Sequence, residues 1–143
     1  MFNPSRDEVR NFFISAWRKR REGEVLSAME TIAADIVGLH PEYHALIEDP
    51  DSIGRDFTPE DGQINPFLHL SLHLAVEEQL SIDQPPGIRA AFEAACTHRG
   101  SRHEAMHDAL ECLGEMLYDA QRNGTQPNAA NYLAALRRRA GGA

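Results

Sequence analysis

Along most of this chain apolar residues recur every three or four positions, the interval that lines up one side of an α-helix. Val9, Phe12, Phe13, Ala16 and Trp17 form the first such stripe, opened by the capping box Ser5-Arg6-Asp7-Glu8 and closed near Gly23. A second runs through Leu26, Met29, Ile32, Ala33, Ile36 and Val37 to about Leu39, with Ser27 and Glu30 as its capping box. Pro41 disfavours helical backbone at His40, so this helix should stop there and a short one should run from Pro41 to about Glu48. Between Asp49 and Gln63 the turn formers Asp, Pro, Ser, Gly and Thr dominate, which predicts a long loop of the kind that often carries function.

Asn65 is a good N-cap and Pro66 suits a first helical position, so the next helix should start here; neither Pro nor Gly interrupts it before Leu80. Leu70, Leu72, Leu74, Val76 and Leu80 sweep a broad apolar arc, and Ser71, Glu78 and Gln79 form the polar stripe. His69, His73 and Glu77 fall inside the arc, where burying them without partners would cost several kcal/mol. Ser81 to Gly87 break the helix, and Ile88, Ala91, Phe92 and Ala95 begin another that closes at Gly100. Ser101-Arg102-His103-Glu104 caps a long helix through Met106, Ala109, Leu110, Leu113, Met116 and Leu117 to Asn123-Gly124, and Pro127 opens a last one with Tyr132, Leu133 and Leu136 inward. No stretch alternates with the two-residue period of a strand. The pattern predicts an all-α fold, a single-domain bundle of five or six helices over residues 1–143.

Composition narrows the class. At 143 residues, with 42% hydrophobic and 25% charged, the chain can bury one core without disulfide staples. Its net charge of −8 argues against a nucleic-acid partner, which needs a basic surface to displace counterions. The basic clusters, Arg18 to Arg21 and Arg137 to Arg139, sit at expected helix C-termini, where cations complement the macrodipole. No apolar run reaches membrane-span length, and the polar start Asn3, Ser5, Arg6 and Asp7 is unlike a leader, so the expectation is a cytoplasmic protein with no membrane partner. A homodimer is the assembly small helical proteins often adopt. Cys96 and Cys112 lack C-x-x-C spacing and read as small core residues.

The histidines carry the chemistry. Six of the seven fall in pairs four apart, His40 with His44, His69 with His73 and His103 with His107, where chance placement gives about 0.3 of one such pair. Each pair is followed four residues later by a glutamate, Glu48, Glu77 and Glu111. On a helix this spacing puts all three side chains on one face with Cβ atoms about 5–6 Å apart. Two imidazoles so placed can converge on one cation at about 2.0–2.1 Å per nitrogen, and a carboxylate one turn on can ligate or orient a ring. His69, His73 and Glu77 form the expected centre of a metal site, with His44 and either His103 or His107 completing it and His40 as a further candidate ligand. The Pro41 break separates His40 from His44, so the two need not share a helix. His98, in the last turn before Gly100, reads as a favourable C-terminal cation.

Other chemistries find less support. A zincin needs Glu directly after the first histidine, and Leu70 stands there. No Glu-x-x-His of the di-iron kind ends at His40, His44, His69 or His73, so a hemerythrin-like or DinB-like bundle is the nearer analogy, at the level of fold alone. No nucleophile motif or glycine-rich phosphate loop occurs. Met1-Phe-Asn-Pro-Ser-Arg6, His40-Pro-Glu-Tyr-His44, Asn65-Pro-Phe-Leu-His69-Leu-Ser-Leu-His73, Gln84-Pro-Pro-Gly-Ile-Arg89 and Glu111-Cys-Leu-Gly-Glu115 together resemble the bacterial family catalogued as domain of unknown function 1841. That resemblance implies a stand-alone bacterial protein and implies no activity.

The leading expectation is therefore a protein binding a divalent transition metal, Zn, Fe, Ni or Mn, through nitrogen-rich helix faces. One alternative is a non-metal interaction or assembly module with a structural His/Glu network, contacting partners through the Asp49–Gln63 loop. Another is a metal-dependent hydrolase or oxygen-reactive enzyme using an open coordination position.

Overall fold

The computed structural model describes residues 5–55 and 65–141. Every regular element among them is helical: seven α-helices and two 3₁₀ turns, against the five or six helices expected. The seventh is the short helix expected from Pro41 to about Glu48, which in the structure is a 3₁₀ turn, Pro41–Tyr43, running into a one-turn helix, His44–Ile47. Much of the segment expected as a loop, residues 56–64, lies outside the described residues, but its start is ordered as a second 3₁₀ turn, Pro50–Gly54. The chain groups into two compact units, Met1–Leu74 and Ala75–Ala143.

In the first unit α1 (Arg6–Glu22) and α2 (Ala28–Gly38) pack against each other. Both begin with the expected reciprocal capping boxes, Ser5 with Glu8 and Ser27 with Glu30. Gly23 ends α1 at φ +72°, a conformation that favours glycine. Phe13, Ala16, Ala33, Ile36 and Val37 make the core between them, joined by Ile47 of α3 (His44–Ile47) and by Phe67 and Leu70 from the first turns of α4 (Pro66–Ile82). Met29, expected in the stripe, is instead exposed. Lys19–Glu30 and Arg20–Asp35 ion pairs, each 2.6 Å, tie the helices at their rim. The Lys19 ammonium, helped by the Ser27 backbone N–H, holds the Glu30 carboxyl down to about 2.

Arg10 is a buried cation in this core. Its Nη1 donates to the carbonyls of Ile53 and Arg55 at 2.7 Å and of Ser52 at 3.4 Å, and its guanidinium lies 4.8 Å from the centre of the Phe67 ring. Arg10 thereby satisfies carbonyls at the end of the second 3₁₀ turn, and the same side chain lies against the first turn of α4.

The second unit holds the rest of α4, then α5 (Ile88–Arg99), α6 (Arg102–Asn123) and α7 (Ala129–Arg139), the last three packing pairwise. Asn128, not Pro127, caps α7, because its side chain accepts from the Asn131 N–H. Tyr132, Leu133 and Leu136 are buried as expected, and the Tyr132 hydroxyl donates to Gln79 Oε1 at 2.7 Å. Asp108 is buried on α6 and takes a bidentate pair of 2.8 Å hydrogen bonds from Arg99. Those bonds hold its carboxyl below the usual carboxylate range despite burial. Arg139 lies 3.6 Å from Asp108 and also reaches Glu111 and Glu115, fastening the end of α7 to α6. No described helix is long and apolar enough to cross a membrane.

Candidate metal centre

The entry to α4 decides where its first histidine sits. Asn65 Oδ1 accepts from the N–H groups of Phe67 and Leu68 at 3.0 and 3.2 Å, and Pro66 takes the first helical position. Phe67 and Leu70 then turn inward, which sets His69 and His73, one turn apart, on the same side. His73 is 3% exposed, whereas His69 is half-buried.

The third ring comes from the end of α2. His40 extends the Ala33, Ile36 and Val37 stripe by one more turn and is 2% exposed. Its Nδ1 lies 2.7 Å from the Ile36 carbonyl oxygen, which can only accept, so Nδ1 carries a proton, and in the neutral ring Nε2 is then the nitrogen with the lone pair. This is the arrangement that metal-ligating histidines usually have, with the second nitrogen tied to a carbonyl.

The Nε2 atoms converge. His69 Nε2 is 3.2 Å from His40 Nε2 and 3.2 Å from His73 Nε2. The three rings stand edge-to-face at centroid distances of 5.0, 4.6 and 4.8 Å. Tyr43 walls one side, stacked at 5.5 Å on His40 and edge-on at 5.9 Å to His69. Burial pushes its phenol above the ordinary value, with the Glu42 charge adding to the shift.

Of the expected site residues, His40, His69 and His73 are brought together. His44 is not with them, because its Nε2 lies 2.9 Å from the Val37 carbonyl and its ring packs 4.5 Å from Trp17. The Pro41 break turns His44 onto a different helix from His40, as the sequence suggested, and it is His40 that faces α4. Glu77 is salt-bridged to Arg102 at 2.9 Å. Glu48 accepts from Trp17 Nε1 at 3.0 Å, and Glu111 pairs with Arg139 at 3.2 Å. All three glutamates of the repeated pattern thus have cationic or indole partners. His103 and His107 lie one turn apart on α6 with ring centroids 4.4 Å apart. Sequence reasoning placed Tyr43 only as part of a resemblance; its position three residues after His40 was the available signal, since a tight turn brings such neighbours together.

Neither cysteine offers an alternative centre. Both are free, and burial pushes both thiols above the ordinary value, which keeps them protonated and inert.

A helical chain with histidine ring nitrogens gathered within 4.8 Å of one another defines the class: an all-α protein whose histidine cluster could hold a metal ion. The chain belongs to the family described as a domain of unknown function, DUF1841, whose model matches residues 5–138. No curated protein and no solved structure matches it.

Proposed function

We propose that this protein binds a divalent transition metal through Nε2 of His40, His69 and His73. The observation that carries the reading is the convergence of those nitrogens, with the His40 proton held on the far side of its ring by the Ile36 carbonyl. For metal–nitrogen bonds of about 2.0–2.1 Å, a 3.2 Å separation subtends about 100° at the ion, between the octahedral and tetrahedral values. A nitrogen-only set suits Zn, Fe or Ni, and Mn to a lesser degree. His69 is the least buried residue of the three. We include His107, or its neighbour His103, as a further ligand on the strength of their i, i+4 spacing on α6. A ligand position open to water would allow hydrolytic or oxygen chemistry.

The test is elemental analysis of untagged protein purified without chelator, beside His69→Ala/His73→Ala and His40→Ala variants. Near-stoichiometric metal is expected in the parent and little in the variants. His107→Ala and His103→Ala should weaken retention if α6 contributes a ligand. One observation favours a second reading: the 3.2 Å contacts are also of hydrogen-bond length, so the trio could be a structural imidazole chain within an interaction module. Protein that purifies without metal and fails to bind added Zn, Fe, Ni or Mn would establish that reading instead.

A further inference from the structure

The segment that follows His40 is built from pieces too short to stand alone. A 3₁₀ turn (Pro41–Tyr43), the one-turn α3 and a second 3₁₀ turn (Pro50–Gly54) succeed one another, and isolated helices of such length are unstable in water. Their backbone bonds are local as well. The amides of Tyr43, Glu48, Asp49, Ser52 and Arg55 donate to carbonyls three or four positions back, at 2.9–3.1 Å. Order in this segment therefore comes from what it packs on. Ile47 is buried in the core of the first unit, and Arg10 takes the carbonyls of Ser52, Ile53 and Arg55.

The first turn of the segment packs on the histidines instead. The Tyr43 ring lies parallel to that of His40, with 5° between their planes at a centroid distance of 5.5 Å, and edge-on to His69 at 5.9 Å. His40 follows the end of α2 and His69 belongs to α4, so one aromatic ring rests on two candidate ligands from different helices. The Tyr43 N–H donates to the His40 carbonyl, closing the turn that carries the ring. An ion bound through Nε2 locks the orientation of each imidazole it touches. It thereby fixes the surface against which Tyr43 and its turn are placed.

We propose that Tyr43 couples metal occupancy to the closure of residues 41–55, the ion acting as a clasp and the order of the segment as its output. This inference rests on the metal reading above. Tyr43 is a positioning residue in it, passing the set of the His40 and His69 rings to the backbone of the turn. The coupling is reciprocal: a closed segment favours the ion by the same factor as the ion favours closure.

The experiment follows amide hydrogen exchange of the full chain by nuclear magnetic resonance at a series of free Zn(II) concentrations, with Zn(II) binding measured by titration calorimetry on the same preparation. Amides of so short a segment exchange through local opening, so stabilising the global fold leaves them unmoved unless the ion acts on that opening itself. Exchange at Tyr43, Glu48, Asp49, Ser52 and Arg55 should slow as Zn(II) binds and level off at least about tenfold below the metal-free rate, within the usual range of coupling between sites. Tyr43→Ala should abolish that response and weaken Zn(II) binding by a similar factor, whereas Tyr43→Phe, which keeps the ring, should preserve both. Zn(II) binding with unchanged exchange at these amides would overturn the inference and leave metal binding intact, and this arm needs no variant. A response that persists undiminished in Tyr43→Ala would overturn it too. Failure of Zn(II) to bind would remove the metal reading, and this inference with it.

Discussion

Asp108 and Arg10 are buried charges outside the histidine cluster, and each is satisfied by partners the sequence pattern does not reveal. Asp108→Asn should lose about 1.5–3 kcal/mol of stability in urea denaturation, since it breaks a bidentate charge-assisted pair. Because the folded carboxyl is held below its ordinary 3.8, its contribution is complete above that value and is lost as pH falls through the lower folded one. Glu30 behaves alike over a window its numbers define: its share of stability is present above about 4.5 and disappears as pH drops to about 2. Acid titration of Glu30→Gln should therefore lose part of the parent's slope in that window. Arg10→Met should cost about 3 kcal/mol, by leaving carbonyls of the 52–55 turn without their donor. At this scale the sequence made His69 and His73 legible through their place in an apolar arc. His40 was harder to rank above His44, because the choice depended on the backbone turn at Pro41, which spacing alone does not orient.

Helix boundaries were the most legible elements, since their signals are local. The capping boxes at Ser5 and Ser27 and the glycine ends at 23, 100 and 124 all hold in the structure, each at positive φ for the glycines. Ser27→Ala should destabilise the protein by about 1 kcal/mol in thermal or urea melts, because the Glu30 N–H loses its acceptor. What local signals missed depends on long-range contacts. The turn at Pro50–Gly54 is ordered where composition suggested a loop, and three of its neighbouring carbonyls are held by a side chain more than forty positions away. Asp108 stands on the buried side of α6 between Ala105 and Cys112, where a polarity pattern reads it as an interruption and not as an anchor.

For the whole chain, the composition and the 3.6-residue period sufficed for an all-α fold, while the helix total was set by how the chain breaks after Pro41. On the proposed metal reading, ligand binding and folding are linked through the trio, whose residues all lie in the first unit. Free metal at a hundredfold excess over its dissociation constant should raise the unfolding free energy by about 2.7 kcal/mol. Calorimetry with and without chelator checks this, and an identical midpoint in both would count against native-state metal binding.

Trp17 is the sole tryptophan of the chain, and its indole donates to Glu48 while lying against His44. Both partners belong to the short segment that follows His40. The protein therefore carries a built-in optical probe: its ultraviolet emission reports whether that segment is seated on α1. Loss of seating would free the indole to water and shift the emission to longer wavelength, which makes detachment of the His40 arm observable without any added label.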